Sequence, residues 1–285
     1  MPQNQGLQNK IAAASEAIQS ADAIIITAGA GIGVDSGLPD FRGDKGFWNA
    51  YPAIAKLGFS FSEMANPHWF KQKPKLAWAF YGHRLNLYRK TTPHLGFRQL
   101  LDISIQKKGG YFVITSNIDG HFQKAGFDGN LINEIHGSIN HLQCVKPCCD
   151  DIINADNQQV FVDEEKFEAQ EPLPQCPNCS DLARPNILMF SDWLWISKRS
   201  KEQNLNFRYW KRDIQQNGFK PVIIEIGAGE AVPTIRFHSE SLGKQFSATL
   251  IRINPRDHSA PEGSISIPLG GEEAIDLIYK KLHGH

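Results

Sequence analysis

The sequence predicts an α/β fold, a doubly wound parallel sheet with a smaller helical plus metal-binding lobe. Three observations support this prediction. Short apolar, β-branched segments alternate with helical patterns, as in parallel sheets connected by helices. Each apolar segment ends in a glycine-rich or polar loop, at the edge where such sheets bind ligands. All five cysteines lie within residues 144–179, which favours a metal site over a disulfide framework.

The strand predictions depend on apolar segments that stop at glycine or polar residues. The first segment, DAIIIT at residues 22–27, is followed by a glycine-rich run. Helical patterns at residues 10–19, 96–105 and 272–282 separate or flank the strands. The alternation predicts a Rossmann-like core. The predicted strands are residues 22–27, 111–115, 130–135, 221–226 and 248–253.

Two stretches interrupt the alternation. Residues 47–93 are aromatic-rich with a helical pattern, which predicts a helical insertion over the sheet. Residues 141–185 carry the cysteines and show little helical or strand periodicity, so a metal would organise this second insertion. We therefore predict one domain over residues 1–285. Its Rossmann-like core would comprise residues 10–46, 94–140 and 186–285.

Composition excludes several classes of partner. Thirty basic and thirty acidic residues cancel, so no net field attracts nucleic acid or a membrane surface. The sequence lacks the ~20 consecutive apolar residues of a membrane span. Residues 1–10 lack the order of a signal peptide, and we expect a cytoplasmic protein. The basic, aromatic residues 193–212 are interpreted as an amphipathic helix that packs through its tryptophans, rather than as a nucleic-acid surface.

Glycines follow the first predicted strand at residues 29–33, which read GAGIG. They would let backbone N–H groups approach a pyrophosphate, although the spacing is not G-x-G-x-x-G and also suits a tight turn. Three motifs then occur in order: GAGIGVDSGLPDFRG at 29–43, TSNID at 115–119 and an HG pair at 136–137. In these motifs, and over roughly residues 11–283, the chain resembles the sirtuin family, the NAD-dependent protein deacylases.

The resemblance implies an NAD-dependent protein-lysine deacylase that releases nicotinamide and O-acyl-ADP-ribose. His136 would be the general base, since an imidazole with a pKa of about 6.5 is largely neutral in the cytoplasm. Asn117 and Asp119 would hold the ribose and the nicotinamide carboxamide. The other residues implied to contact NAD are Ala28, Gly29, Ala30, Gly31, Ile32, Asp40, Phe41, Arg42, Ser116, Ile118, Gly227, Ala228, Gly229, Asn254, Gly271 and Glu272.

The cysteines suit a tetrahedral Zn²⁺ site, and the family carries a structural zinc at this place. Cys144 would be the first ligand, and Cys176 and Cys179 would supply a C-x-x-C pair. The second ligand departs from the pattern because Pro147 occupies the expected position. Either Cys148 or Cys149 must then serve, and Cys148 is favoured. The alternative is a site that has lost its zinc and keeps free thiols.

Several departures from the family concern the substrate. Residues 190–192, where the family has FGE, and 227–233 differ from the segments that normally clamp a substrate peptide as an added strand. Tyr81 and Arg84 match the Y-x-x-R motif of family members that remove acidic acyl groups. Arginine suits such a group because it binds a carboxylate through two parallel hydrogen bonds. The alternative is a solvated arginine beside a core tyrosine.

Three functions therefore stay open. The first is the deacylase, either a deacetylase or a desuccinylase and demalonylase, with acylated protein lysines as partners. The second is an NAD-dependent ADP-ribosyltransferase, because the peptide-clamp segments are altered. The third is an NAD-hydrolysing or ADP-ribose-sensing module. The sequence does not indicate an oligomeric state.

Overall fold

The computed structural model describes residues 2–39, 48–49, 51–56 and 58–284. The helices are α1 (Pro2–Ser20), α2 (Pro52–Lys56), α3 (Phe61–Met64), α4 (Trp69–Gln72), α5 (Pro74–Lys90), α6 (Leu95–Ser104), α7 (His121–Lys124), α8 (Lys198–Gln216), α9 (Thr234–Phe246) and α10 (Gly271–Leu282). The strands are β1 (Ala23–Ala28), β2 (Tyr111–Thr115), β3 (Ile132–Glu134), β4 (Gly137–Cys144), β5 (Ile153–Asn154), β6 (Val162–Asp163), β7 (Glu168–Ala169), β8 (Ala183–Ile187), β9 (Pro221–Ile226), β10 (Leu250–Ile253) and β11 (Ile265–Ile267).

The main sheet has six strands in the order β11-β10-β9-β1-β2-β3, and every neighbouring pair is parallel. Numbered within the sheet, this is the 3-2-1-4-5-6 order of a Rossmann fold. The prediction of a doubly wound parallel sheet is confirmed. The order reverses between β1 and β9, so the ligand crevice of such a fold lies at the carboxyl ends of these two strands.

Alternate residues of β1 enter two different cores. Ile24 and Ile26 pack among residues of α1, α6 and α10, whereas Ile25 packs among residues of α8 and α9 on the opposite face. A strand buried on both faces needs an unbroken apolar run, and Ala23–Ala28 is buried throughout. For this reason the sequence shows a continuous apolar run at β1 rather than an alternation of apolar and polar residues.

The two insertions share a third core. Trp78 of α5 is fully buried and donates from Nε1 to the Ala183 carbonyl of β8 at 3.0 Å. Tyr81 of α5 belongs to the same apolar cluster as Val160 and Phe167 of the second insertion. The cysteine-bearing segment is therefore organised by apolar packing against the helical lobe as well as by its cysteines. The strands of this region form the sheets β5-β4-β8 and β6-β7, and none of them was predicted. β5, β6 and β7 have two residues each, too few to show a period.

The helix predicted at residues 193–212 is α8, which begins only at Lys198. Trp210 packs on Phe112 of β2, with ring centroids 5.7 Å apart, as the packing interpretation requires. Trp193 does not pack, because 94% of its surface is exposed ahead of the helix. Within the described ranges, no helix has both the length and the apolar character needed to cross a bilayer.

Candidate active site

Two loops meet at the carboxyl ends of β1 and β9. The Gly31 N–H donates to the Gly227 carbonyl at 3.0 Å, and the Gly29 N–H donates to the Ile226 carbonyl at 3.0 Å. Gly227 has φ of 66°, and a Cβ there would lie 2.2 Å from the Ile32 nitrogen. A Cβ on Gly29 would lie 2.7 Å from the Gly227 oxygen. These glycines are therefore required for contact between the two loops.

The loop after β1 continues as a short 3-10 helix, Ala30–Ser36, which neighbouring elements hold in place. His94 donates from Nε2 to the Ile32 carbonyl at 3.0 Å, while its Nδ1 accepts from the Gly96 N–H at 3.1 Å. Asp35 accepts from the Glu272 N–H of α10 at 2.9 Å. Since Nδ1 must accept, His94 is neutral, and burial lowers its pKa accordingly.

A cavity of about 420 Å³ opens at this edge of the sheet. It brings together residues that the sequence analysis had placed in the cofactor, catalytic and substrate groups. Those lining it are Gly29, Ala30, Gly31, Ser116, Asn117, Ile118, Asp119, His136, Gly227, Ala228, Gly229, Tyr81 and Arg84.

Other residues predicted to contact the cofactor do not line the cavity but support the residues that do. Ala28 and Ile32 are fully buried in the core beneath the sheet edge. Asn254 is also fully buried, and its amide donates to the Ala228 carbonyl at 2.9 Å. Gly271 and Glu272 begin α10, beside Asp35. Asp40, Phe41 and Arg42 lie outside the described residues. Contact of these residues with NAD stays a prediction.

Asn117 and Asp119 lie in the loop that follows β2. The Asn117 amide donates to the Gly29 carbonyl at 3.1 Å, so this side chain joins the β2 loop to the β1 loop. Asp119 accepts from the His121 N–H at 2.9 Å, which fixes its carboxylate at the start of α7. Both side chains are held by backbone partners, and they present polar atoms to one cavity.

His136 lies between β3 and β4. Burial lowers the pKa of His136, and the nearby His238 of α9 lowers it further, while a hydrogen bond to the Ser116 backbone opposes the shift. The lowered pKa favours the neutral imidazole at pH 7. Its carbonyl accepts from the Leu188 N–H at 2.9 Å, which ties His136 to the segment after β8.

Tyr81 and Arg84 both line the cavity from α5. Arg84 is 6% exposed, so it is not a solvated surface arginine. Its Nε and Nη2 donate to the Tyr88 hydroxyl at 3.1 and 2.9 Å. The guanidinium lies 5.3 to 5.9 Å from the ring centres of Phe61, Phe80, Tyr81 and Tyr88.

Tyr88 and Phe61 are cavity residues that the sequence analysis missed. The position of Tyr88, four residues after Arg84 on one helix face, is a signal that could have revealed it. Phe61 comes from α3, and no sequence pattern connects it to α5. Only the packing of the helical lobe brings these residues together.

The segment after β8 differs from the family pattern in a way that the structure explains. Asp192 is fully buried and pairs with Arg184 through two hydrogen bonds of 2.8 and 2.9 Å. It also accepts from the Leu194 N–H at 3.1 Å. Ser191 has φ of 56°, a left-handed conformation that favours glycine, the residue the family carries. Asp192 therefore fixes the loop, with its carboxylate turned into the protein toward Arg184.

The four sulfur atoms of Cys144, Cys148, Cys176 and Cys179 lie within 4.8 Å of one another. The Cys144–Cys179 and Cys148–Cys176 separations are both 3.6 Å. A tetrahedron with Zn–S bonds of about 2.3 Å requires sulfurs roughly 3.8 Å apart, so the group fits zinc. Cys149 is outside this group and accepts a hydrogen bond from Asn178 at 3.0 Å.

Three comparisons with known proteins place this chain among its relatives. The family model described as "Sir2 family" matches residues 29–206. An NAD-dependent protein deacylase of Leptospira interrogans is 28% identical over 245 residues, covering 86% of this chain and 85% of that protein. One of Pyrococcus abyssi is 35% identical over 178 residues, covering 61% of this chain and 62% of that protein, less than two thirds of its length.

Solved structures show the same fold. A Sir2 homologue in complex with ADP-ribose has a TM-score of 0.68 at 23% identity, covering 95% of this chain and 96% of that one. A Sir2 homologue in complex with NAD has a TM-score of 0.69 at 22% identity, covering 95% and 93%. The family match extends over more than half of the sequence and includes β1's loop, Asn117, His136 and the cysteines. The chain therefore belongs to the Sir2 family.

Proposed function

We propose that this protein is an NAD-dependent protein-lysine deacylase that yields nicotinamide and O-acyl-ADP-ribose. One observation carries the proposal: a single cavity is lined by the glycine loops, by Asn117 and Asp119, by His136, and by Tyr81 and Arg84. A nucleotide and an acyl group placed in it would meet at the base. Relatives named NAD-dependent protein deacylase support this assignment.

Some of these residues would bind the cofactor, and His136 would transfer a proton. The open backbone at residues 29–31 and 227–229 would admit a pyrophosphate without a side-chain clash. Bound NAD would supply the sugar carbon that receives the acyl oxygen as nicotinamide leaves, and the hydroxyl that later attacks the acyl carbon. Water would then release the lysine and leave the acyl group on ADP-ribose. His136, kept neutral by burial, would accept the proton of that hydroxyl. Asn117 and Asp119 would orient the sugar and the carboxamide.

The acyl pocket favours an acidic group. Arg84 presents a buried cation, and the side chains around it are largely aromatic, so a carboxylate would find a desolvated partner. Acetyl-lysine would leave that cation facing an uncharged methyl group. We therefore propose succinyl- or malonyl-lysine as the preferred substrate.

The cysteine group would hold one structural Zn²⁺, since four thiolates leave no open coordination position. Metal analysis of protein purified without chelator should give about one zinc per chain. Cys148→Ser should lower that content more than Cys149→Ser. A zinc content near zero with freely titrating thiols would contradict the assignment.

The decisive experiment incubates the protein with NAD and matched peptides carrying acetyl-, malonyl- or succinyl-lysine. Mass spectrometry then identifies the products. O-acyl-ADP-ribose with free lysine supports deacylation. Free ADP-ribose alone would replace the deacylase by an NAD hydrolase.

A second function, ADP-ribose transfer to an acceptor, draws on a separate observation. Asp192 is committed to Arg184, so the segment that would grip a peptide has turned one of its polar side chains inward. A weaker peptide grip would leave the activated sugar open to other nucleophiles. In the same experiment, an ADP-ribosylated acceptor without lysine deacylation would favour this function.

A further inference from the structure

We infer that the buried polar face of α8, through Arg199, Ser200 and Gln203, is the positioning device for the base His136. This inference depends on the proposed function for its catalytic consequence. The structural part of the inference is independent of the proposed function, because it rests on contacts between α8 and the strand that leads into His136.

β3 is an edge strand of the main sheet, since it pairs only with β2 within the described residues. The outward backbone groups of an edge strand need partners if they are buried. At Glu134 both partners come from side chains of α8. The Glu134 N–H donates to Gln203 Oε1 at 3.0 Å, and Ser200 Oγ donates to the Glu134 carbonyl at 2.9 Å.

The Glu134 side chain is held by the same helix. Its carboxylate is 1% exposed and accepts a charged hydrogen bond from Arg199 Nη2. Gln203 Nε2 lies 3.5 Å from the same carboxylate oxygen. Because positions 199, 200 and 203 fall on one face of a helix, α8 replaces a missing neighbouring strand with a row of side chains.

Only Ile135 lies between Glu134 and His136, so a shift of one leaves little freedom for the other. The Ile135 N–H donates to the Thr115 carbonyl at 2.9 Å, which fixes the next peptide against the end of β2. His136 follows, with its carbonyl held by the Leu188 N–H at 2.9 Å. A shift of Glu134 would therefore be transmitted to the imidazole. Displacement of a catalytic group by about 1 Å costs on the order of a hundredfold in rate.

Packing alone does not account for these side chains. An apolar helix face would bury the same area, yet Ser200 and Gln203 are buried where α8 crosses β3. Farther along the helix, buried Phe207 and Ile214 serve the ordinary packing role. The buried polar residues of α8 occur only in the turns that face Glu134. Their role is thus to fix the position of the strand.

The test uses Arg199→Met and the milder Ser200→Ala, which keeps the ion pair. Arg208→Met is the matched control, since Arg208 lies on the exposed face of the same helix. Protein with isotope-labelled histidine gives one set of imidazole NMR signals per histidine. The signal that is absent from the spectrum of His136→Ala is that of His136. NAD turnover with acyl-lysine peptide is measured in parallel.

We expect the His136 signal to move in Arg199→Met and in Ser200→Ala, and to stay in place in Arg208→Met. The kcat of Arg199→Met should fall roughly ten- to a hundredfold while KM for NAD is unchanged. If Arg199→Met fails to fold, the position of the His136 signal in Ser200→Ala decides whether the inference holds. An unmoved His136 signal in a folded variant overturns the inference. Absence of turnover in the wild type would overturn the proposed function alone, because the NMR comparison still decides the positioning role.

Discussion

The two halves of the cavity are built from different parts of the polypeptide. The backbone half, residues 29–31 and 227–229, is formed by glycines and alanine whose loops touch each other directly. The side-chain half is formed by Phe61, Tyr81, Arg84 and Tyr88 of the helical lobe. Backbone position follows from the fold, whereas side chains can change without altering it. The first half therefore suits a constant cofactor, and the second suits a substrate that varies within a family.

The largest effect is expected at His136, where the two halves meet. His136→Ala should lower turnover by about 10²–10⁴-fold, since it would remove the proposed general base. Binding of NAD, measured by calorimetry, should persist because the backbone half is untouched. His283→Ala, at an exposed histidine near the end of α10, is the control. Wild-type turnover in His136→Ala would contradict its assignment as base.

Gly227→Ala tests the backbone half. Its Cβ would lie 2.2 Å from the Ile32 nitrogen, in a residue with φ of 66°. The clash and the left-handed backbone together should lower the free energy of unfolding by about 3–5 kcal/mol. Gly263→Ala has φ of 80° but open space around the new Cβ, so urea unfolding should show a loss of only about 1 kcal/mol. Equal losses would mean that contact between the loops is unimportant.

Arg84→Met tests the side-chain half. The substitution keeps much of the apolar part of the side chain and removes the guanidinium group. The preference for succinyl- or malonyl-lysine should therefore disappear. The lost interaction with a charged group is about 1.5–3 kcal/mol. That is roughly ten- to a hundredfold in kcat/KM, with deacetylation retained. Arg84→Lys should give an intermediate preference. An equal loss on all three peptides would make Arg84 a structural residue of the lobe.

The smallest effect concerns Ser191, in the loop that follows β8. Ser191→Gly relieves a left-handed serine at φ of 56°, so it should raise the free energy of unfolding by up to about 1 kcal/mol. Ser247→Gly, at φ of 49° beyond α9, should give a similar gain far from the cavity. A destabilised Ser191→Gly would show that the serine side chain holds the segment in place.

The sequence by itself determined the sheet and the identity of most polar residues at its edge. Apolar β-branched runs mark strands buried on both faces, and the residues after each run lie at one edge because parallel strands share a direction. Asn117, Asp119 and His136 could be placed together on this reasoning alone. The cysteine group was equally readable, since sulfur ligands are rare and their spacing is restrictive.

Only the tertiary structure decided how side chains from separate elements meet. The choice of Cys148 over Cys149 depends on where each sulfur points relative to Cys176 and Cys179. The inward turn of Asp192 depends on Arg184, eight residues earlier on β8. The support of His136 by α8 links residues 134 and 199, which no local period connects. Local patterns specify which face of an element is buried, but the partner on the other side is fixed only when the elements pack.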